Sequence, residues 1–284
     1  MLFFQSLSLN PSTFREEPIS FTIPWACWII MNLNGLYGSN IYMIISALLM
    51  WLPGVSAAFL RLIKKEPMIK FSWKPSIRKH LKLYLTAWLV PVILTFLSCA
   101  VYFLVFRNDF SLQNIETIAL PLPLFLLFTV IVILLGAVFN MFFALGEETG
   151  WRGFLYPELS RRFSRSKACI ITGMIWGFWH TPINIMGYNY GLRYQGYPIT
   201  GIAAMCLSCI VLGTWCSYLA ESTNSIWAPA LFHGTINAVG ASGLIFMEPN
   251  TSYLLGPGIT GVIPSIIVGL CLIPFIHEKR GRDD

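Results

Sequence analysis

Charge is what this 284-residue sequence has least of. Asp, Glu, Lys and Arg together make up 11% of it, against about 25% in an ordinary soluble domain. So little charge cannot dress a water-facing surface, which excludes a soluble enzyme, a disordered chain and a nucleic-acid binder. There are only four histidines. No internal repeat or low-complexity tract is present, and the longest hydrophilic stretch, about 64–82, is too short for a soluble domain. The first 17 residues are polar and lack a basic stretch followed by an apolar core, so no cleavable signal peptide is expected.

What is there instead is apolar length. Residues of the AVILMFWYC set make up 56% of the chain, and the mean hydropathy is +0.66. Runs free of Asp, Glu, Lys and Arg place spans near 19–33, 41–62, 83–106, 117–146, 168–192, 194–220, 222–247 and 249–276. A helix needs roughly 20 apolar residues to cross about 30 Å of hydrocarbon. The prediction is an all-α polytopic membrane protein of about eight transmembrane helices. The whole of 1–284 reads as a single integral membrane domain.

The few basic residues orient it. Arg61, Lys64, Lys65, Lys70, Lys74, Arg78, Lys79 and Lys82 lie between spans two and three. Arg161, Arg162, Arg165 and Lys167 lie between spans four and five, and Lys279, Arg280 and Arg282 follow span eight. The opposite connectors hold only Arg107 and Arg193. Lys and Arg accumulate on the cytoplasmic side, so both termini are expected there, in a multi-pass protein of the cell membrane. The 64–82 connector is expected along the anionic inner leaflet.

All seven cysteines, Cys27, Cys99, Cys169, Cys206, Cys209, Cys216 and Cys271, fall within predicted spans and read as small apolar side chains. Cys206-x-x-Cys209 has metal or redox spacing, but no second pair or neighbouring His supports it.

Ionisable groups inside spans are costly and usually functional. Glu147, Glu148 and Arg152 stand where span four meets the next segment, His180 in span five, and His233 and Asn237 in span seven. His80 and His277 sit in basic segments and read as solvated. Glu148 and Arg152, four apart on a helix, share a face and can pair. Glu147 points roughly 100° away and is expected to be a free carboxylate. His233 and Asn237 also share a face. If the segments converge, they hold the parts for activating water and stabilising an oxyanion. The stretch after Arg152, with Leu155, Leu159, Arg161 and Arg162, reads as an amphipathic helix on the inner surface.

Glu147-Glu148-x-x-x-Arg152, His180 on a Trp/Phe-rich helix and His233-x-x-x-Asn237 resemble the CPBP family. These are the type II CAAX prenyl endopeptidases and their bacteriocin-processing relatives, often labelled Abi. The lead-in Ser225-Ile226-Trp227-Ala228-Pro229 is similar too. The resemblance covers about 140–240, within a family-like core of about 118–250, and extends loosely to Trp51-Leu52-Pro53-Gly54-Val55-Ser56-Ala57. One position departs: Trp176 stands where the family writes Phe, four residues before the histidine.

The resemblance implies intramembrane proteolysis near the cytoplasmic membrane face, without a serine or cysteine nucleophile and without a cofactor. Glu147 and His180 would activate water, His233 and Asn237 would hold the oxyanion, and Glu148 with Arg152 would brace the site. The implied partners are membrane lipid and a peptide or prenylated-protein substrate. Arg161, Arg162, Arg165 and Lys167 would rim the mouth on the cytoplasmic side.

Three rivals remain. A zinc enzyme would ligate its metal through Glu147, His180 and His233, but no His-Glu-x-x-His is present. Serine chemistry at Gly240-Ala241-Ser242-Gly243 lacks a histidine on a later span. A non-catalytic scaffold, immunity protein or transporter is the third; the intact polar positions and the lack of two related halves stand against it.

Overall fold

Uncharged runs of this length can satisfy their backbone in lipid by coiling into helices. The computed structural model, which describes residues 17–64, 71–118, 120–248, 252 and 254–270, is all-helical, and among the described residues there is no strand beyond isolated bridges at Ser72–Ser225 and Phe110–Met247. The helices are α1 (Glu17–Leu33), α2 (Asn40–Leu49), α3 (Leu52–Lys64), α4 (Leu81–Val105), α5 (Gln113–Ile118), α6 (Leu122–Ile131), α7 (Ala137–Gly150), α8 (Tyr156–Ser160), α9 (Arg165–Trp179), α10 (Thr181–Ile185), α11 (Ile199–Thr223), α12 (Trp227–Val239) and α13 (Val262–Leu270).

Every predicted span holds a helix. Among the described residues, four are long and apolar enough to cross a membrane: Asn40–Ile63, Leu81–Val105, Leu122–Ser160 and Ile199–Thr223. The others are shorter for local reasons. α9 ends at Trp179 because His180 leaves helical geometry (φ −79°, ψ 1°) and Pro182 follows. α12 starts after a sharp turn in which Asn224 takes a left-handed conformation (φ 49°), which an Asn side chain tolerates better than most. Cys271, His277 and the basic tail lie outside the described residues.

Span four differs from the expectation. It does not stop near Gly146. Helix continues from Leu122 to Ser160 through π-turns at Val132–Gly136 and Trp151–Leu155. The continuation beyond Arg152 is not a surface helix: Phe154, Leu155, Tyr156 and Leu159 are all buried. Of the charges that seemed to end the span, Glu148 and Arg152 pair with each other and Glu147 is held by indole N–H donors, so the helix carries them into the core.

Backbones approach closely where side chains are smallest. A methyl on Gly150 would meet Pro53 Cβ at 2.6 Å, and one on Gly177 would meet Cys206 Cα at 2.5 Å. These contacts draw α3 against α7 and α9 against α11, as small residues do in membrane bundles. Cys206 is accordingly a packing residue beside α9, and Cys209 is buried with its thiol 3.6 Å from the Met205 sulfur.

The basic connectors are tied down as well. Arg61 is buried; it pairs with Glu158 at 2.8 Å and lies over the Phe154 ring. Arg161 pairs with the same Glu158 at 3.0 Å, and Arg165 with Glu221 at 3.0 Å. The described part of the 64–82 connector does not simply lie on the leaflet. Ser72 N–H donates to Asn224 O (3.0 Å) and Ile226 N–H to Ser72 O (3.2 Å). Ser225 Oγ donates to Lys74 O (3.1 Å), Ser76 Oγ to Thr223 O (3.2 Å) and Trp227 Nε1 to Trp73 O (2.5 Å). Residues 72–76 are thus stitched to the α11–α12 turn.

Overpacking a tight helix contact costs about 1–3 kcal/mol. Gly177→Ala is therefore expected to lower the thermal unfolding temperature in detergent. Gly269→Ala, whose added methyl would sit 3.5 Å from Val211 Cγ2, is expected to leave it nearly unchanged.

Candidate active site

Two adjacent glutamates on α7 divide the site between them. Glu148 faces the core and is fully buried. Its Oε1 accepts from Arg152 Nη1 at 3.0 Å and from His233 Nδ1 at 2.9 Å. Arg152, also fully buried, lies with its guanidinium 4.5 Å above the Trp176 ring. The space for it comes from Gly213 of α11, where a methyl would lie 2.5 Å from Arg152 Nη2. The pair read from the i,i+4 spacing is present, and it reaches across to α12 as well.

Glu147 is not a free carboxylate. Its Oε2 accepts from Trp176 Nε1 at 2.6 Å and from Trp151 Nε1 at 3.1 Å. Trp151 is one helical turn along the same segment, whereas Trp176 comes from α9. The indole at position 176 therefore does what the family's Phe cannot: it donates to the carboxylate. Its ring also packs edge-on to His233, with centroids 5.0 Å apart.

His180 sits at the end of α9, its Nδ1 2.9 Å from the carbonyl oxygen of Trp176. A carbonyl only accepts, so Nδ1 carries the proton, and in the neutral ring Nε2 keeps its lone pair. The same logic applies to His233, whose Nδ1 meets a carboxylate. Both rings are oriented through Nδ1 by fixed acceptors. His180 is close enough to Glu147 and His233 for their charges to act on it.

Glu147, His180, His233 and Asn237 line one cavity of about 530 Å³, together with Trp176 and Asn140. The four residues singled out in the sequence are thus brought together, with Glu148 and Arg152 packed behind them. Asn237, one turn beyond His233, is exposed into this space. The remaining wall is largely apolar, with Trp28, Met50 and Ile183 among its side chains. Sequence reasoning missed Trp151, Trp176 as a donor, and Gly213. Only Trp151 left a usable signal, its i,i+4 spacing from Glu147.

Ser242 belongs to a short 3₁₀ turn and donates to the carbonyl of Val239. It has no histidine partner among the hydrogen bonds of the described residues.

Residues 122–239 match the family model described as type II CAAX prenyl endopeptidase Rce1-like. The matched segment begins at α6, ends with α12, and contains every residue of the cluster. Over this segment the chain is similar to the Rce1-like family. A curated relative from Methanococcus maripaludis, named CAAX prenyl protease 2, is 30% identical over 92 residues, which is 32% of this chain and 34% of the relative. The alignment therefore spans about a third of that relative's length. The Rce1-like segment supplies the site, and helices α1–α4 pack around it.

Removing one partner of a buried ion pair leaves an uncompensated charge and costs about 3–5 kcal/mol. Arg152→Ala is expected to lose that much stability, read as a lower unfolding temperature. Gly213→Ala, by displacing the guanidinium, is expected to destabilise the protein in the same direction.

Proposed function

We propose that the protein is an intramembrane endopeptidase that hydrolyses a peptide bond with water activated by Glu147 and His180. The observation that carries this reading is a carboxylate held on one oxygen by two indole N–H groups, in a cavity shared with two oriented imidazoles. Oε2 of Glu147 already accepts two hydrogen bonds, so Oε1 is the oxygen that would take a proton from water. His180 Nε2, a lone-pair acceptor in the neutral ring, would share that task. The hydroxide adds to the carbonyl carbon, and the oxygen gains negative charge. Asn237 Nδ2 and His233 would stabilise it. To donate from Nε2, His233 must carry both protons, and Glu148 is placed to balance the charge this brings. The base then returns its proton to the departing amine, and the C–N bond breaks. Substrates of this reading are membrane-embedded peptides or prenylated proteins, processed in the cell membrane with both termini of the enzyme cytoplasmic.

The zinc reading fits the residues less well. Among the described residues no three of His, Cys, Asp and Glu are gathered to hold a metal. One oxygen of the carboxylate that would serve as ligand is engaged by two nitrogen donors. Nothing in the site favours a scaffold or transporter, since a buried, braced carboxylate costs stability that a passive role would not require.

Glu147→Gln, His180→Ala and His233→Ala are each expected to lower cleavage of a membrane-anchored or prenylated test peptide by about 10²-fold or more, with unchanged unfolding temperature for Glu147→Gln. Wild-type rates in all three folded variants would overturn the proposal. Chelator treatment of the purified enzyme is expected to leave activity intact; loss restored by zinc would favour the metal reading. Trp176→Phe keeps the ring and removes the donor. A hydrogen bond to a charged group is worth about 1.5–3 kcal/mol, so kcat is expected to fall roughly 10- to 100-fold with KM little changed.

A further inference from the structure

We propose that the described part of the α3–α4 connector, residues 71–82, is a docking surface for anionic lipid headgroups, with Lys74, Arg78, Lys79 and Lys82 as the cations that hold them. None of these residues lines the cavity around Glu147, so the surface stands apart from the chemistry proposed there.

Asn40–Ile63 and Leu81–Val105 are both long and apolar enough to cross a membrane. A connector between two such helices emerges at a bilayer surface, whichever face that is. Its backbone is fixed there, because residues 72–76 are bonded to the turn at 223–227. With the backbone held, the exposed side chains form a standing surface rather than a loose tail.

The sequence of this stretch, Phe-Ser-Trp-Lys-Pro-Ser-Ile-Arg-Lys-His-Leu-Lys, contains no acid. Lys74, Arg78, Lys79 and Lys82 are exposed. On the neighbouring basic segments Arg61 and Arg161 are paired with Glu158, and Arg165 with Glu221. No carboxylate among the described residues pairs with any of the four. The paired arginines hold the fold together; the four unpaired cations are the charge left for an outside partner.

Apolar side chains alternate with these cations. Trp73 is 42% exposed, Ile77 48% and Leu81 54%, and each is followed directly by Lys or Arg. Apolar groups gathered on an exposed surface mark a membrane or partner contact. At a bilayer surface each neighbouring pair finds its place, the apolar group toward the acyl chains and the cation at the phosphates. Trp is enriched at that depth. An acidic soluble polypeptide would satisfy the cations and leave the three apolar groups uncovered, so the pattern favours lipid. Attraction to an anionic leaflet adds up over the basic residues and is screened by salt. Because residues 72–76 also carry the stitching, a lipid surface that holds 73–82 steadies the turn at 223–227 as well.

Hydrogen exchange of the full chain in lipid nanodiscs tests this. The probes are the amides of Ser72 and Ile226, both bonded across the stitching. In discs of phosphatidylcholine mixed with phosphatidylglycerol they are expected to exchange at least about fivefold more slowly than in phosphatidylcholine alone. High salt is expected to remove most of the difference in the unsubstituted chain. Lys74→Gln, Arg78→Gln, Lys79→Gln and Lys82→Gln together are expected to abolish it, with an unchanged unfolding temperature in phosphatidylcholine discs. Equal exchange in the two discs, a difference insensitive to salt, or one that survives the four substitutions overturns the proposal. Equal protection from inorganic phosphate or polyglutamate added to phosphatidylcholine discs also overturns it, since the surface would then take a soluble anion.

Discussion

Glu148 is the residue on which the arrangement depends. It is an anion with no exposure, and burying it is tolerable only because Arg152 and His233 meet the same oxygen. That requirement fixes three segments at once. Arg152 has to turn inward, so the helix beyond it stays in the core. The guanidinium needs a flat partner and a gap, which Trp176 and Gly213 provide. His233 has to present Nδ1, which leaves Nε2 toward the cavity. An ion pair of this kind contributes little net stability; its value here is that its members have few other places to go.

Glu147 shows the complementary principle. Next to a carboxylate that is fully neutralised stands one held only by neutral donors. Two indoles on one oxygen limit its rotation while leaving its charge unpaired. The division of labour between neighbours in sequence follows from the 100° turn between them.

The sequence carried the parts of the site that depend on spacing along one helix. Glu148 with Arg152, and His233 with Asn237, were legible because i,i+4 fixes a shared face. The convergence of α7, α9 and α12 came from residue rarity and family resemblance. What could not be read depends on contacts between distant segments. Trp176 meets Glu147 across 29 residues, and Arg61 meets Glu158 across 97. A basic residue in a connector looks solvated until its partner is known. The 72–76 stitching was invisible for a related reason: all five of its bonds involve a backbone group on one or both sides, and backbone groups are the same in every sequence. The end of span four was misplaced because charge counting takes each ion singly, whereas the membrane interior responds to the pair.

The tie between residues 72–76 and the turn at 223–227 has a bearing on the height of α12. It joins the connector that follows α3 to the turn that leads into the helix carrying His233 and Asn237. Helix association in lipid has no hydrophobic driving force between helices, so polar bonds of this kind set register. Here they set where α12 begins, and with it the level at which its two polar side chains stand beside Glu147.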